Sequence, residues 1–327
     1  MRNTWWAKMT VWVVGVGLLL FAGVNVILYN HAYHFTHFSP AGTQKTARPE
    51  QLSFGEKLSL AFTGIRNPKP VNVIQPDAPL QVVRLQNERK NRLEGWWIGA
   101  EGGRGTVVLF HGYTSTKSQL LTEAAAFRTL GFNTLLMDLS GHGGSGGHVT
   151  TIGYHEAADV AAAYAYARKR DPRVVLYGVS MGAAAILRAV PAYGLQPAAL
   201  VLECPFATML QATRNRFRLM HLPEYPLAEL LVFWGGWQND YDAAGHNPAD
   251  YARQVRVPTL LMYGLRDQRV IRPEVEAIYR NLGGPKELVY FKNLEHQSYC
   301  KKEPQRWRAA VNRFLASRQS PQQTTTP

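Results

Sequence analysis

Ser180, Asp267 and His296 have the types and the chain order that acyl transfer through a covalent intermediate requires. Ser180 stands in Gly178-Val179-Ser180-Met181-Gly182, between an apolar run at 173–177 and an apolar, Ala-rich stretch at 181–190. A strand, a tight glycine turn and a helix in that order push a serine hydroxyl out above a sheet. A hydroxyl is a weak nucleophile. It needs a base, and the base needs an acid that orients it. Asp267 follows the apolar run 259–263 in Gly264-Leu265-Arg266-Asp267, and His296 follows the run 287–291 in Asn293-Leu294-Glu295-His296. Each residue alone has an ordinary reading as a loop serine, a turn or helix-capping aspartate, or a surface histidine. Their fall at successive strand ends, in the order Ser, Asp, His, favours a triad.

Other residues compete for these roles. Glu203, at the end of the run 199–202, is an alternative acid. Asp240, Asp242 and Asp250 lie in a long insertion and follow no strand. His111, His142 and His148 precede the serine, so His296 is the expected base. The developing oxyanion needs donors aimed at it. Met181 N–H, directly after the nucleophile, is one expected donor. Tyr113 N–H is the other, from the turn His111-Gly112-Tyr113 after the run 106–110. His111 is expected to brace that turn.

Positioning such a site takes a parallel sheet. Apolar runs at 81–85, 95–100, 106–110, 133–137, 173–177, 199–202, 259–263 and 287–291 read as strands. Helical patterns at 119–130, 156–168, 181–190, 274–282 and 305–316 lie between or after them. Continuous apolar strands separated by helices of that length predict an α/β fold with a sheet covered on both faces.

Phe110-His111-Gly112, Asp138-Leu139-Ser140-Gly141-His142-Gly143-Gly144-Ser145, the Ser180 pentapeptide, Gly264-Leu265-Arg266-Asp267 and His296 resemble the serine α/β-hydrolase superfamily. The nearest likeness is to its esterase, lysophospholipase and serine-aminopeptidase-like branch, over residues 81–317. The resemblance implies an α/β-hydrolase fold with an eight-stranded-type, mostly parallel sheet, the triad above, and no cofactor. Ser140 stands where that branch often carries Arg, a departure expected to alter loop bracing only. Fold resemblance does not identify a substrate, because caps change while the chemistry stays.

More than fifty residues separate the strands ending at Leu202 and starting at Thr259, too many for an ordinary connection. The stretch 205–257 is rich in aromatic residues, Met and Arg and is expected to form a helical cap. Arg214 and Arg218 would share a helix face. They read either as solvated charges or as a clamp for an anionic headgroup. With the aromatic cap they point to a lipid-like acyl ester. A peptidase or amidase on the same triad, and a silent hydrolase-fold binding protein, are the other readings.

The chain has 327 residues, 46% hydrophobic and 18% charged, which excludes a disordered or fibrous protein. Near the start, 11–29 is an apolar run broken only by Asn25, reaching roughly 28 Å as a helix, close to a bilayer core. Trp5, Trp6 and Trp12 flank one end, Tyr29 and Tyr33 the other, as in interfacial aromatic belts. Residues 1–30 are therefore expected to be an uncleaved anchor. A cleaved signal peptide fits less well, since the run is long and no Ala-x-Ala site follows. Arg2 and Lys8 favour a cytoplasmic start and an exported body. Residues 31–80, with six prolines, read as a linker and lead-in segment, and 318–327 as a disordered tail.

The net charge of +13 invites a nucleic-acid reading, but the basic residues are scattered and form no dense arm. Nucleic acid is therefore not an expected partner. Cys204 and Cys300 are too few for a disulfide scaffold or a structural zinc site. The glycines of 141–147 match no phosphate-binding spacing. His31, His34 and His37 are suggestively spaced but lack further ligands, so no metal is expected.

Overall fold

The computed structural model describes residues 2–46 and 52–317. The expected tail at 318–327 lies outside them. Two helices come first, α1 (Arg2–Thr36) and α2 (Phe54–Thr63), the second opened by a capping box of Ser53 and Glu56. Then follow β1 (Gln81–Gln86), β2 (Arg92–Ile98), β3 (Thr106–Phe110), α3 (Leu121–Thr129), β4 (Asn133–Met137), α4 (Ala157–Arg170), β5 (Val174–Val179), α5 (Met181–Ala192) and β6 (Ala199–Glu203). A stretch of three helices comes next: α6 (Met209–Leu219), α7 (Leu227–Gln238) and the single turn α8 (Pro248–Tyr251). The chain closes with β7 (Thr259–Gly264), α9 (Arg272–Asn281), β8 (Lys286–Phe291), α10 (Tyr299–Lys302) and α11 (Pro304–Ala316).

The eight strands form one sheet in the order β1-β2-β4-β3-β5-β6-β7-β8. Strand β2 runs antiparallel to both neighbours, and every pair from β3 onward is parallel. Side chains alternate across it. Val108 and Phe110 of β3 enter the core beneath α4, α5 and α9, whereas Val107 and Leu109 meet Phe127 of α3 and Trp307 and Phe314 of α11. With both faces covered, β3 to β7 have no polar side, which is why they read as continuous apolar runs.

The N-terminal helix runs past residue 30, the expected end of the anchor. Helix α1 is long and apolar enough to cross a membrane, and it continues past Tyr29 through Thr36. Past Tyr29 the helix is tied to the domain: Tyr113 Oη donates to Phe35 O at 2.7 Å and Asn239 Nδ2 to Thr36 Oγ1 at 3.1 Å. Leu28 and Ala32 are buried, and Leu28 shares a cluster with Phe217 of α6 and Ala228 of α7. The segment after α1 is held as well. Phe38 N–H donates to His148 O at 2.7 Å, Ser39 N–H to Asn67 O at 2.9 Å, and Lys69 N–H to Ser39 O at 2.8 Å.

Candidate active site

Ser180 sits between β5 and α5 with φ 50° and ψ −110°, a left-handed conformation strained for a residue with a side chain. Packing enforces it. A Cβ on Gly182 would lie 2.4 Å from the carbonyl oxygen of Phe110, and one on Gly178 would lie 2.7 Å from the amide of Ala183. Only glycine lets the elbow close against β3 at these two positions. Ser180 N–H donates to Glu203 O at 2.8 Å, which ties the elbow to β6.

The three widely spaced residues meet at this elbow. Ser180 Oγ lies 3.0 Å from His296 Nε2, and His296 Nδ1 lies 2.7 Å from Asp267 Oδ2. With a carboxylate as its acceptor, Nδ1 carries the proton, which leaves Nε2 free to accept from the serine hydroxyl. The other Asp267 oxygen accepts from Arg269 N–H at 2.8 Å and Val270 N–H at 3.0 Å, so the turn itself aims the carboxylate.

Glu203, the competing acid, points elsewhere. It accepts from Trp307 Nε1 at 2.6 Å, and burial together with the nearby Glu123 charge pushes its carboxyl up to about 8. Neighbouring Cys204 has a sulfur within 4.8 Å of ligand atoms of Asp267 and His296. Burial and the Asp267 charge drive its thiol well upward, so it stays protonated and makes a poor metal ligand.

The loop that carries Tyr113 abuts the elbow, since a Cβ on Gly112 would lie 3.7 Å from Ser180 Cβ. Met181 is the first residue of α5, so its N–H lacks an intrahelical acceptor. His111 braces the loop. Its Nδ1 donates to Gly112 O at 2.8 Å and its Nε2 accepts from Leu139 N–H at 3.1 Å, and burial lowers its pKa, keeping it neutral.

Two supports escaped sequence reasoning. Buried Lys117 pairs with Asp138 and, at 3.0 Å, with Glu94, while its ammonium lies 4.6 Å from the centre of the Trp96 ring. Nothing in the local sequence marks that lysine. Ser140 binds Asp159 twice, N–H to Oδ2 at 2.7 Å and Oγ to Oδ1 at 2.9 Å. Burial raises the Asp159 carboxyl to about 7. The Asp138–Ser145 stretch signalled this loop but not its partners.

Arg214 and Arg218, read either as solvated charges or as an anion clamp, each meet a carboxylate: Arg214 pairs with Glu229, and Arg218 holds Glu224 through two bonds of 2.8 and 2.9 Å. Each guanidinium is neutralised by a carboxylate of the same helical stretch. Asn215 between them does reach the site's surroundings: its Nδ2 donates to Arg269 O at 3.1 Å and Glu274 Oε2 at 2.7 Å, bracing the turn that aims Asp267.

Comparison with known proteins agrees with this architecture. The family described as serine aminopeptidase S33 matches residues 102–230. Bacillus subtilis YqkD is 26% identical over 228 residues, 68% of this chain and 75% of that protein. The Pyrococcus furiosus esterase Pf2001 superposes with a TM-score of 0.62 at 24% identity, over 76% of this chain and 97% of the esterase. The Exiguobacterium antarcticum esterase gives 0.56 at 18% identity, over 72% and 100%. The chain has the α/β-hydrolase fold.

Proposed function

We propose that this protein is a membrane-tethered serine hydrolase that cleaves carboxylic esters, with lipid-like acyl esters as its substrates. The observation that carries the reading is the continuous hydrogen-bonded relay from Ser180 through His296 to Asp267, at 3.0 and 2.7 Å. His296 takes the Ser180 proton as the oxygen attacks the acyl carbonyl. Asp267 holds the imidazole tautomer and stabilises the imidazolium. The Tyr113 and Met181 amides stabilise the oxyanion. The alcohol leaves with the proton from His296, and water then hydrolyses the acyl-enzyme.

Helix α1, apolar over the length of a bilayer core, supports tethering, and Arg2 and Lys8 ahead of its apolar run favour an exported body. Aromatic and aliphatic side chains of 205–257 supply the apolar surroundings that an acyl chain requires. The experiment is a comparison of p-nitrophenyl esters of increasing chain length with aminoacyl p-nitroanilides. Turnover that rises with chain length is expected. Hydrolysis confined to acetyl esters would contradict the lipid-like substrate. The family match to serine aminopeptidases favours a second reading, peptide or amide cleavage on the same triad. Preference for the anilides would establish it.

A further inference from the structure

Helix α7 has an unusual composition for a surface helix: LAELLVFWGGWQ carries one charge and is apolar around its circumference. One side is used. Trp234 Nε1 donates to Asn25 Oδ1 at 3.1 Å and Gln238 Nε2 to Tyr29 O at 2.8 Å, both across 209 residues. The equal offset means that α7 lies alongside α1 and runs in the same direction. Carried back one turn, it brings Leu230 level with Phe21, inside the apolar run. Asn25, the run's single polar side chain, is thus satisfied by an indole that shares its depth.

The other side of α7 is bare. Phe233 is 57% exposed and Trp237 65%, and Tyr225 just before the helix is 76% exposed. Phe21 and Val26 of α1, at levels that α7 occupies, are exposed too, at 58% and 69%. Tyr29, Trp234 and Trp237 cluster at the junction, with ring centres 5.3 to 6.1 Å apart. Contiguous exposed apolar surface of this kind marks a binding face. Tyr and Trp favour the level where acyl chains meet headgroups.

We infer that α7 dips into the phospholipid bilayer that α1 enters, its Trp237 end at the headgroup boundary and its Leu230 end among the acyl chains, level with Phe21. The inference rests on the reading of α1 as a membrane helix. Its basis is continuity: the bare face of α7 extends the lipid-facing surface of a helix to which it is hydrogen-bonded. The bilayer would then seat the domain by two elements, and α6, whose Asn215 braces the Asp267 turn, lies next to α7 in the same cluster.

Fluorescence quenching tests this on the full chain in phosphatidylcholine–phosphatidylglycerol vesicles. Both native cysteines are buried, so a polarity-sensitive thiol dye reads single introduced sites. Phe233→Cys and Trp237→Cys give two independent probes of α7, and Leu19→Cys probes α1. The expected result is quenching of all three by nitroxide-labelled phospholipid, with several-fold protection from aqueous iodide relative to the unfolded protein. If the α7 probes answer to iodide and not to the nitroxide lipid while Leu19→Cys is lipid-quenched, the inference is overturned and the tether stands. Probes shielded from both quenchers mean that protein covers α7, as in a second copy, which also overturns it. If Leu19→Cys alone escapes the lipid, α7 docks without α1 as a span, and the tether reading fails instead.

Discussion

The phenol oxygen of Tyr113 donates to the carbonyl of Phe35 at 2.7 Å and accepts from Asn67 Nδ2 at 3.2 Å, while the Tyr113 and Phe35 rings stack 5.9 Å apart. The last turn of α1 is thereby fastened to the residue whose amide is assigned to the oxyanion. Tyr113→Phe keeps the amide and the stack but leaves Asn67 and the Phe35 carbonyl short of a partner. Stability should drop by about 1–2 kcal/mol. The kcat for a soluble short-chain ester should fall while KM holds, because the loop loses its fixed position. Thermal melts and steady-state kinetics read the two effects separately, and an unchanged kcat would mean that the tie is structural only.

Lys117 supports the same region from beneath. Its ammonium is fully buried between Asp138 and Glu94. Lys117→Met leaves the buried Asp138 carboxylate without its cation, at a cost of about 3–5 kcal/mol. Adding Asp138→Asn should restore part of that loss, since the amide carries no charge to strand. Denaturant titrations of both variants check this. A double variant no more stable than Lys117→Met would show that the cost came from packing alone.

Gly182→Ala probes the elbow. Its new Cβ would meet the Phe110 and His111 carbonyl oxygens at 2.4 and 2.8 Å, and both are backbone atoms that cannot swing away. The expected destabilisation is about 1–3 kcal/mol. Activity should fall by more than stability explains, since the shift displaces the loop leading to Tyr113. Activity measured well below the melting temperature separates the two.

Much of this was legible in the sequence, for physical reasons. Strands buried on both faces must be apolar throughout, so β3 to β7 declared themselves as runs whose ends fell within a few residues of the observed ones. Glycine turns and strand-end residues marked the places where chemistry would sit. Tertiary ties were not legible. Nothing local in Phe35 or Lys117 announces a partner 78 or 21 residues away. The charges of Arg214 and Arg218 suggested an anion clamp because sequence periodicity says which residues share a face and nothing about Glu229 and Glu224, which neutralise them. The ties that hold α1 beyond Tyr29 were hidden for the same reason: Phe35 and Thr36 find partners in Tyr113 and Asn239.

Glu203 gives a pH-dependent prediction. Its carboxyl, raised from 4.5 to about 8 by burial, keeps a proton in the folded chain that the unfolded chain has already released. Stability should therefore decline as pH rises from about 4.5 to about 8 and stay low above. Glu203→Gln keeps an acceptor for Trp307 Nε1 and removes the titration. Its melting temperature should match the parent near pH 5 and exceed it near pH 9, by a stability difference of about 2 kcal/mol or more. Parallel pH profiles for the two proteins would contradict the assignment.

The most direct measurement is covalent labelling with a fluorophosphonate, which reacts only with an activated serine. The account predicts one adduct per chain, located at Ser180 by peptide mass spectrometry, lost in Ser180→Ala and strongly slowed in His296→Ala. A wild-type chain that melts cooperatively yet takes up no label, or takes it up at another serine, would contradict it.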